Sequence, residues 1–202
     1  MHRIIRLGSA LALSLAAASA LADDPPPRIV RGEIVKVDGA NIAVKTRSGE
    51  PFALRLKEGQ TPAAVVPAQL SDIKPGVFVG AAAVPGKDGA LTALEVHIFP
   101  EAQRGMGEGF RPFDLAPGSS MTNANISSVV DTVSGPKLTL TYKGGEQKVF
   151  VPENAPIITY EKATLGDVKK GDHVIVTATH NPDETLTATR IGVGKNGLVP
   201  PM

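Results

Sequence analysis

From His97 to Asp114 the chain reads HIFPEAQRGMGEGFRPFD, concentrating His, Glu, Arg, Asp, Gly and Phe in one short stretch. A strand through residues 94–99 places Glu95 and His97 on one face, roughly 7 Å apart along the backbone, with Leu94, Val96 and Ile98 on the other. Glu101, Glu108 and Asp114 follow in the next loop. An imidazole with carboxylates is a possible ligand set for a divalent cation, which makes Glu95, His97, Glu101, Glu108 and Asp114 the metal candidates. The pattern is thin for that chemistry. Metal motifs usually bring two or more His at helical or hairpin spacing, whereas here a single His must recruit acids from a Gly-rich loop. The expectation is no resident metal or cofactor, with these five residues kept as the alternative.

Other chemistries fare no better. Gly105-Met106-Gly107-Glu108-Gly109-Phe110 fails at the last glycine of a dinucleotide fingerprint and has no strand–helix–strand unit around it. Ser119-Ser120 lie outside any GxSxG elbow. His173 and His180 lack an acidic or basic partner at informative spacing and read as surface or rim residues. With no nucleophile paired to a base, the chain is expected not to be an enzyme.

The same stretch also reads as a strap. Residues 100–122 cross from one half of the chain to the other, with Pro100 and Gly105 bracketing one helical turn. Phe99, Phe110 and Phe113 would bury against the flanking bodies, while Arg104 and Arg111 find local partners in Glu101, Glu108 and Asp114.

What must position these residues is strand-rich. Alternation such as Ile42-Ala43-Val44-Lys45-Thr46 and Leu138-Thr139-Leu140-Thr141-Tyr142 has the period of two of a half-buried strand. Asp38-Gly39, Ser48-Gly49, Lys87-Asp88-Gly89 and Gly144-Gly145 supply hairpin turns. With 17 Pro, 21 Gly, no Trp and eight aromatics in all, the core falls to Val, Ile, Leu and Ala, and long helices are disfavoured.

Two segments recur at an offset of 95 residues: LSDIKPGVFV (70–79) with LGDVKKGDHV (165–174), and DGALTALEVHI (88–98) with DETLTATRIGV (183–193). Upstream, 34–56 and 126–151 share a layout of three β-type runs, so an internal duplication is expected. In the Leu-x-Asp-[Ile/Val]-Lys-x-Gly segment, Asp72 and Asp167 cap a short turn that Gly76 and Gly171 end. Leu70 with Ile73, and Leu165 with Val168, would plug a barrel end.

The first 22 residues carry Arg3 and Arg6 before an apolar run and an Ala20-Leu21-Ala22 ending, the layout of a cleaved export signal. That run is shorter than the about 20 residues a spanning helix needs, and nothing later approaches that length. Without the leader, 19 basic residues face 20 acidic ones, a balance that argues against nucleic-acid or anionic-membrane binding. Cys is absent, which removes disulfides, thiol chemistry and a lipidated Cys.

Gly32-Glu33-Ile34-Val35-Lys36-Val37, the repeated Leu-x-Asp-[Ile/Val]-Lys-x-Gly turn, and 93–101 running into Gly107-Glu108-Gly109 together resemble exported bacterial proteins with tandem small OB-like β-barrels of unknown function. The resemblance spans nearly all of residues 29–194. It implies an all-β fold of two tandem small antiparallel OB-like β-barrels and a periplasmic or secreted location. It supplies no catalytic residues. Some similar proteins are labelled as metal-transport components, but a permease label does not suit a chain with no membrane span after its leader.

The expected organisation is a signal peptide (1–22), a Pro-rich linker (23–28), a first barrel (29–99), the strap (100–122), and a second barrel with a short tail (123–202). The expected function is a non-enzymatic binding or structural module for an unidentified protein or small molecule. The alternative is a periplasmic metal- or small-ligand-handling accessory.

Overall fold

A computed structural model of the chain describes residues 26–57, 59–86, 89–181, 183 and 185–201. The expected signal peptide lies outside the described residues. The strands are β1 (Arg28–Asp38), β2 (Asn41–Thr46), β3 (Pro51–Leu56), β4 (Ala63–Pro67), β5 (Phe78–Pro85), β6 (Leu91–Ile98), β7 (Gly109–Pro112), β8 (Ser120–Val130), β9 (Lys137–Tyr142), β10 (Gly145–Phe150), β11 (Ile157–Lys162), β12 (His173–His180) and β13 (Leu186–Gly194). The helical elements among the described residues are single 3-10 turns, including Leu70–Asp72, Glu101–Gln103 and Leu165–Asp167.

Alternation in sequence becomes alternation in burial. Ile42 and Val44 on β2, and Leu138 and Leu140 on β9, are buried while their neighbours face outward. Each pair begins a hairpin, β2 to β3 and β9 to β10, and Gly144 takes the positive φ (105°) that the second turn requires.

The strands close into two five-stranded rings. The first follows β1, β2, β3, β13 and β12, closed by parallel pairing of Thr187 and Ala188 with Arg55 and Leu56. The second follows β8, β9, β10, β6 and β5, closed by Val149 and Phe150 pairing with Leu91 and Thr92. Each ring has its own aliphatic core: Val30, Ile34, Val44, Leu54, Val176 and Ile191 with others in the first, and Val79, Ala81, Val96, Ile126, Leu140 and Val149 with others in the second. Between them β4 and β11 pair with each other, β4 also joining β13 and β11 joining β6.

This pairing departs from one barrel per half. Each ring takes three strands from one half of the chain and two from the other, so boundaries at 99 and 123 do not separate the two cores. The physical reason is that strand alternation specifies which face is buried but not which edge is paired. The element order is the same in both halves, three strands, a bridging strand, a 3-10 turn and two strands, so each half offers edges that the other can complete.

The two 3-10 turns are built alike. In each, the Asp side chain accepts the amide of the residue three before it, Gln69 N at 2.9 Å and Thr164 N at 2.8 Å. Ile73 and Val168, just past the turns, enter the second and first cores respectively. Leu70 and Leu165 do not plug the barrel ends as expected. They are 43% and 42% exposed, because a single tight turn aims only one of the two apolar residues inward.

Residues 100–122 do include the expected turn, Glu101–Gln103, but also a strand, β7, paired to β8, which itself begins at Ser120. The segment is tied to both rings. Arg31 of β1 donates to both carboxylate oxygens of Asp114 (2.9 and 2.8 Å). On the other side Arg104 holds Glu101, the Gly76 carbonyl and Asn125, and the Lys143 amide donates to Glu108.

Candidate functional site

β6 is shared by the second ring and the inter-ring seam, and a β-bulge decides what its faces carry. Opposite Ala82 and Ala83 lie Glu95 and Ala93, leaving Leu94 as the extra residue. Ala93 and Val96 therefore enter the core, while Glu95 and His97 turn to the opposite face. The expected grouping of Leu94 with Val96 fails because of that bulge; the grouping of Glu95 with His97 holds.

His97 is flanked by Gly80 on β5 and Ile158 on β11. A Cβ at Gly80 would sit 1.6 Å from His97 Nε2, so the imidazole lies directly against that backbone. One strand further on, Asn123 of β8 also pairs with Gly80 and donates Nδ2 to the Met106 carbonyl at 2.9 Å. Phe99 packs edge-on to the imidazole with ring centres 4.7 Å apart, and Tyr160 of β11 closes the cluster at 5.9 Å.

Burial governs the protonation of this group. His97 is pushed down to about 3 by burial, then by the charge of Arg111, with the Asn123 side chain pulling weakly the other way. Glu95 is pushed up to about 8 by burial, against the charges of Arg31 and Arg47. Its carboxyl oxygens are buried without a hydrogen-bond partner among the described residues. The 3.9 Å separation of His97 Nδ1 and Glu95 Oε1 is thus a contact between two neutral groups at pH 7, too long for a hydrogen bond. Burial also raises the Tyr160 hydroxyl above the usual phenol range.

Above His97 lies a cavity of about 450 Å³ between the rings, within the range typical of small-molecule sites. His97, Phe99 and Tyr160 line it with Asn123. The first ring contributes Ile29, Ile175, Arg190 and Gly192; the strap contributes Gln103, Met106, Arg111 and Phe113. Arg111 donates to the Gly107 carbonyl at 2.8 Å. Partial burial, and then the charge of Arg190, hold its basicity below the ordinary arginine value.

The five metal candidates do not converge. Glu95 and His97 are neighbours, but Glu101 pairs with Arg104, Glu108 with the Lys143 amide and Asp114 with Arg31. No group of three or more His, Cys, Asp or Glu placed to hold a metal occurs among the described residues. Arg111 has neither Glu108 nor Asp114 as its partner, because the latter is drawn to Arg31 on β1. Phe99 is packed as expected, Phe113 lies beneath the Arg31 guanidinium at 5.6 Å, and Phe110 is 47% exposed.

Gly80, Asn123, Tyr160 and Arg190 were not among the sequence candidates. Glycine inside an apolar strand is a signal for close approach, and Gly80 carried it. At the offset of 95, Gly80 and His97 correspond to Ile175 and Gly192, which also pair with each other, the small and large residues having changed places. Glu95 corresponds to Arg190, each beside a bulge.

The family model for a domain of unknown function, DUF5666, matches residues 129–192. That segment is less than half of the chain and runs through β9 to β12 and most of β13, contributing strands to both rings. It includes Tyr160, Arg190 and Gly192 and leaves out Glu95, His97 and the strap. No curated protein and no solved structure matches the chain.

Proposed function

We propose that this chain is an exported, non-enzymatic β-barrel module that binds a ligand in the cavity between its rings. The observation that carries the reading is the cavity of about 450 Å³, lined by strands of both rings and crossed by a strap pinned to each. Lining by two packed bodies is a common setting for small-molecule sites.

Absence of catalysis is supported by the state of His97. A histidine held near 3 is a poor general base at neutral pH. Export is supported by the leader-like first 22 residues. The metal-handling alternative has only the Glu95–His97 pair in its favour, and the other three carboxylates are engaged elsewhere.

Two measurements test the reading. Fractionation of a bacterial host producing the tagged full-length chain should give a shortened product in the periplasm; retention of the uncut chain in the cytoplasm would overturn export. Native mass spectrometry of the mature chain after exposure to periplasmic extract should show a bound small molecule that is lost in Thr189→Trp, which puts a large ring at an exposed lining position. Identical ligand-free spectra from both proteins would sink the binding role.

A further inference from the structure

We infer that the ligand is a small organic anion, its acidic head group held between Arg111 and Arg190 and its apolar body resting against Phe99, Met106 and Ile175. The inference rests on the cavity being a ligand site and names the chemistry of its occupant.

Charge bookkeeping around the strap motivates it. Arg31 and Arg104, which anchor the strap to either ring, are each matched by a carboxylate, Asp114 and Glu101. Arg111 and Arg190 line the cavity and form no ion pair among the described residues. No Asp or Glu occurs among the described lining residues. The two cations come from different bodies, Arg111 from β7 on the strap and Arg190 from β13 of the first ring, and each raises the electrostatic cost of the other. A bound anion removes that repulsion, whereas a cation adds to it.

Geometry agrees. Arg111 uses the Gly107 carbonyl as an anchor, which fixes the guanidinium while its remaining N–H groups have no partner among the described residues. Threonines 61, 177 and 189 add hydroxyls to the wall. A planar guanidinium fork suits a carboxylate, phosphate or sulfonate, and the apolar lining calls for a hydrocarbon or aromatic body attached to it. Inorganic phosphate alone would satisfy the arginines and leave that lining uncovered.

The test uses the mature chain in titration calorimetry at low salt with three probes: 4-phenylbutyrate, its neutral amide, and inorganic phosphate. The carboxylate should bind about tenfold or more tightly than the amide, and Arg111→Gln or Arg190→Gln should each reduce its affinity by about tenfold. Phosphate should bind more weakly than the carboxylate. Both arginines are exposed, and circular dichroism checks that the variants keep their fold. Equal binding of acid and amide, abolished by Thr189→Trp, would overturn the anion and leave the pocket standing. Affinity for the acid unchanged in both arginine variants would likewise overturn it. No binding by any probe would overturn the anion inference, and it would count against the binding role only if extract also yielded no ligand.

Discussion

The imidazole of His97 rests on the Gly80 backbone so closely that a methyl group at residue 80 would fall 1.6 Å from Nε2. Gly80→Ala must therefore expel the ring from its place between β5, Asn123 and Phe99. Overpacking of this kind costs about 1–3 kcal/mol, and urea unfolding should register it. Because the clash is with one side chain, the double variant Gly80→Ala/His97→Ala should lose less than the two single losses added together. Strict additivity would show that the contact is not what makes glycine necessary.

Glu95 and His97 give stability an unusual pH profile. The unfolded chain releases the Glu95 proton near 4.5 but the folded chain keeps it to about 8, so between these values folding takes up a proton and stability falls as pH rises. His97 works the other way: unfolded it binds a proton below 6.5, folded only below about 3, so stability rises with pH across that window. These contributions oppose one another from 4.5 to 6.5, and the Glu95 loss stands alone from 6.5 to 8. In Glu95→Gln the decline above pH 6.5 should disappear, a slope change of up to about 1.4 kcal/mol per pH unit in chemical denaturation. A variant profile parallel to that of the parent chain would contradict the buried neutral carboxyl.

Asp114→Asn should loosen the strap on the first-ring side. Asp114 is 56% exposed, so solvent screening limits the loss to about 1 kcal/mol even for a two-point contact. Hydrogen exchange is the sharper readout: amides of 113–119 should exchange faster while those of β9 and β10 are unchanged.

At the barrel end, Ile73→Ala should cost about 2–4 kcal/mol, since it removes a buried side chain from the second core, whereas Leu70→Ala should be close to neutral. Equal losses at both positions in thermal unfolding would mean that Leu70 shares the plug after all.

Exchange of strands between halves predicts the behaviour of fragments. Residues 26–99 hold three strands of one ring and two of the other, and 120–201 hold the complement. Neither fragment alone should be a cooperatively folding monomer, and their co-expression should restore a 1:1 complex seen by size-exclusion chromatography. A monomeric fragment with a sharp unfolding transition would argue for self-sufficient halves.

Much of this architecture was legible in the chain. The alternation in 41–46 and 137–142 located strands whose buried faces are the expected ones, and the Leu-x-Asp turns at 70 and 165 took the capped form their Asp predicts. Pairing was not legible, because β1 meets β12 through backbone groups that every sequence has. In the site, Glu95 and His97 were found by period-two counting, which survived the bulge only because the bulge sits at Leu94, before both. No spacing in the sequence joins Arg111 to Arg190: one sits among acids nearby in the chain, and the other lies on the far half, brought in by strand exchange.

That exchange also orders events in time. Arg28 of β1 finds its partner in Ala178 of β12, and Arg55 of β3 in Thr187 of β13, so both edges of the β1-β2-β3 sheet stay unsatisfied until β12 and β13 have joined it. Until then the sheet carries open, adhesive borders, and loss of β12 and β13 leaves them uncovered for good.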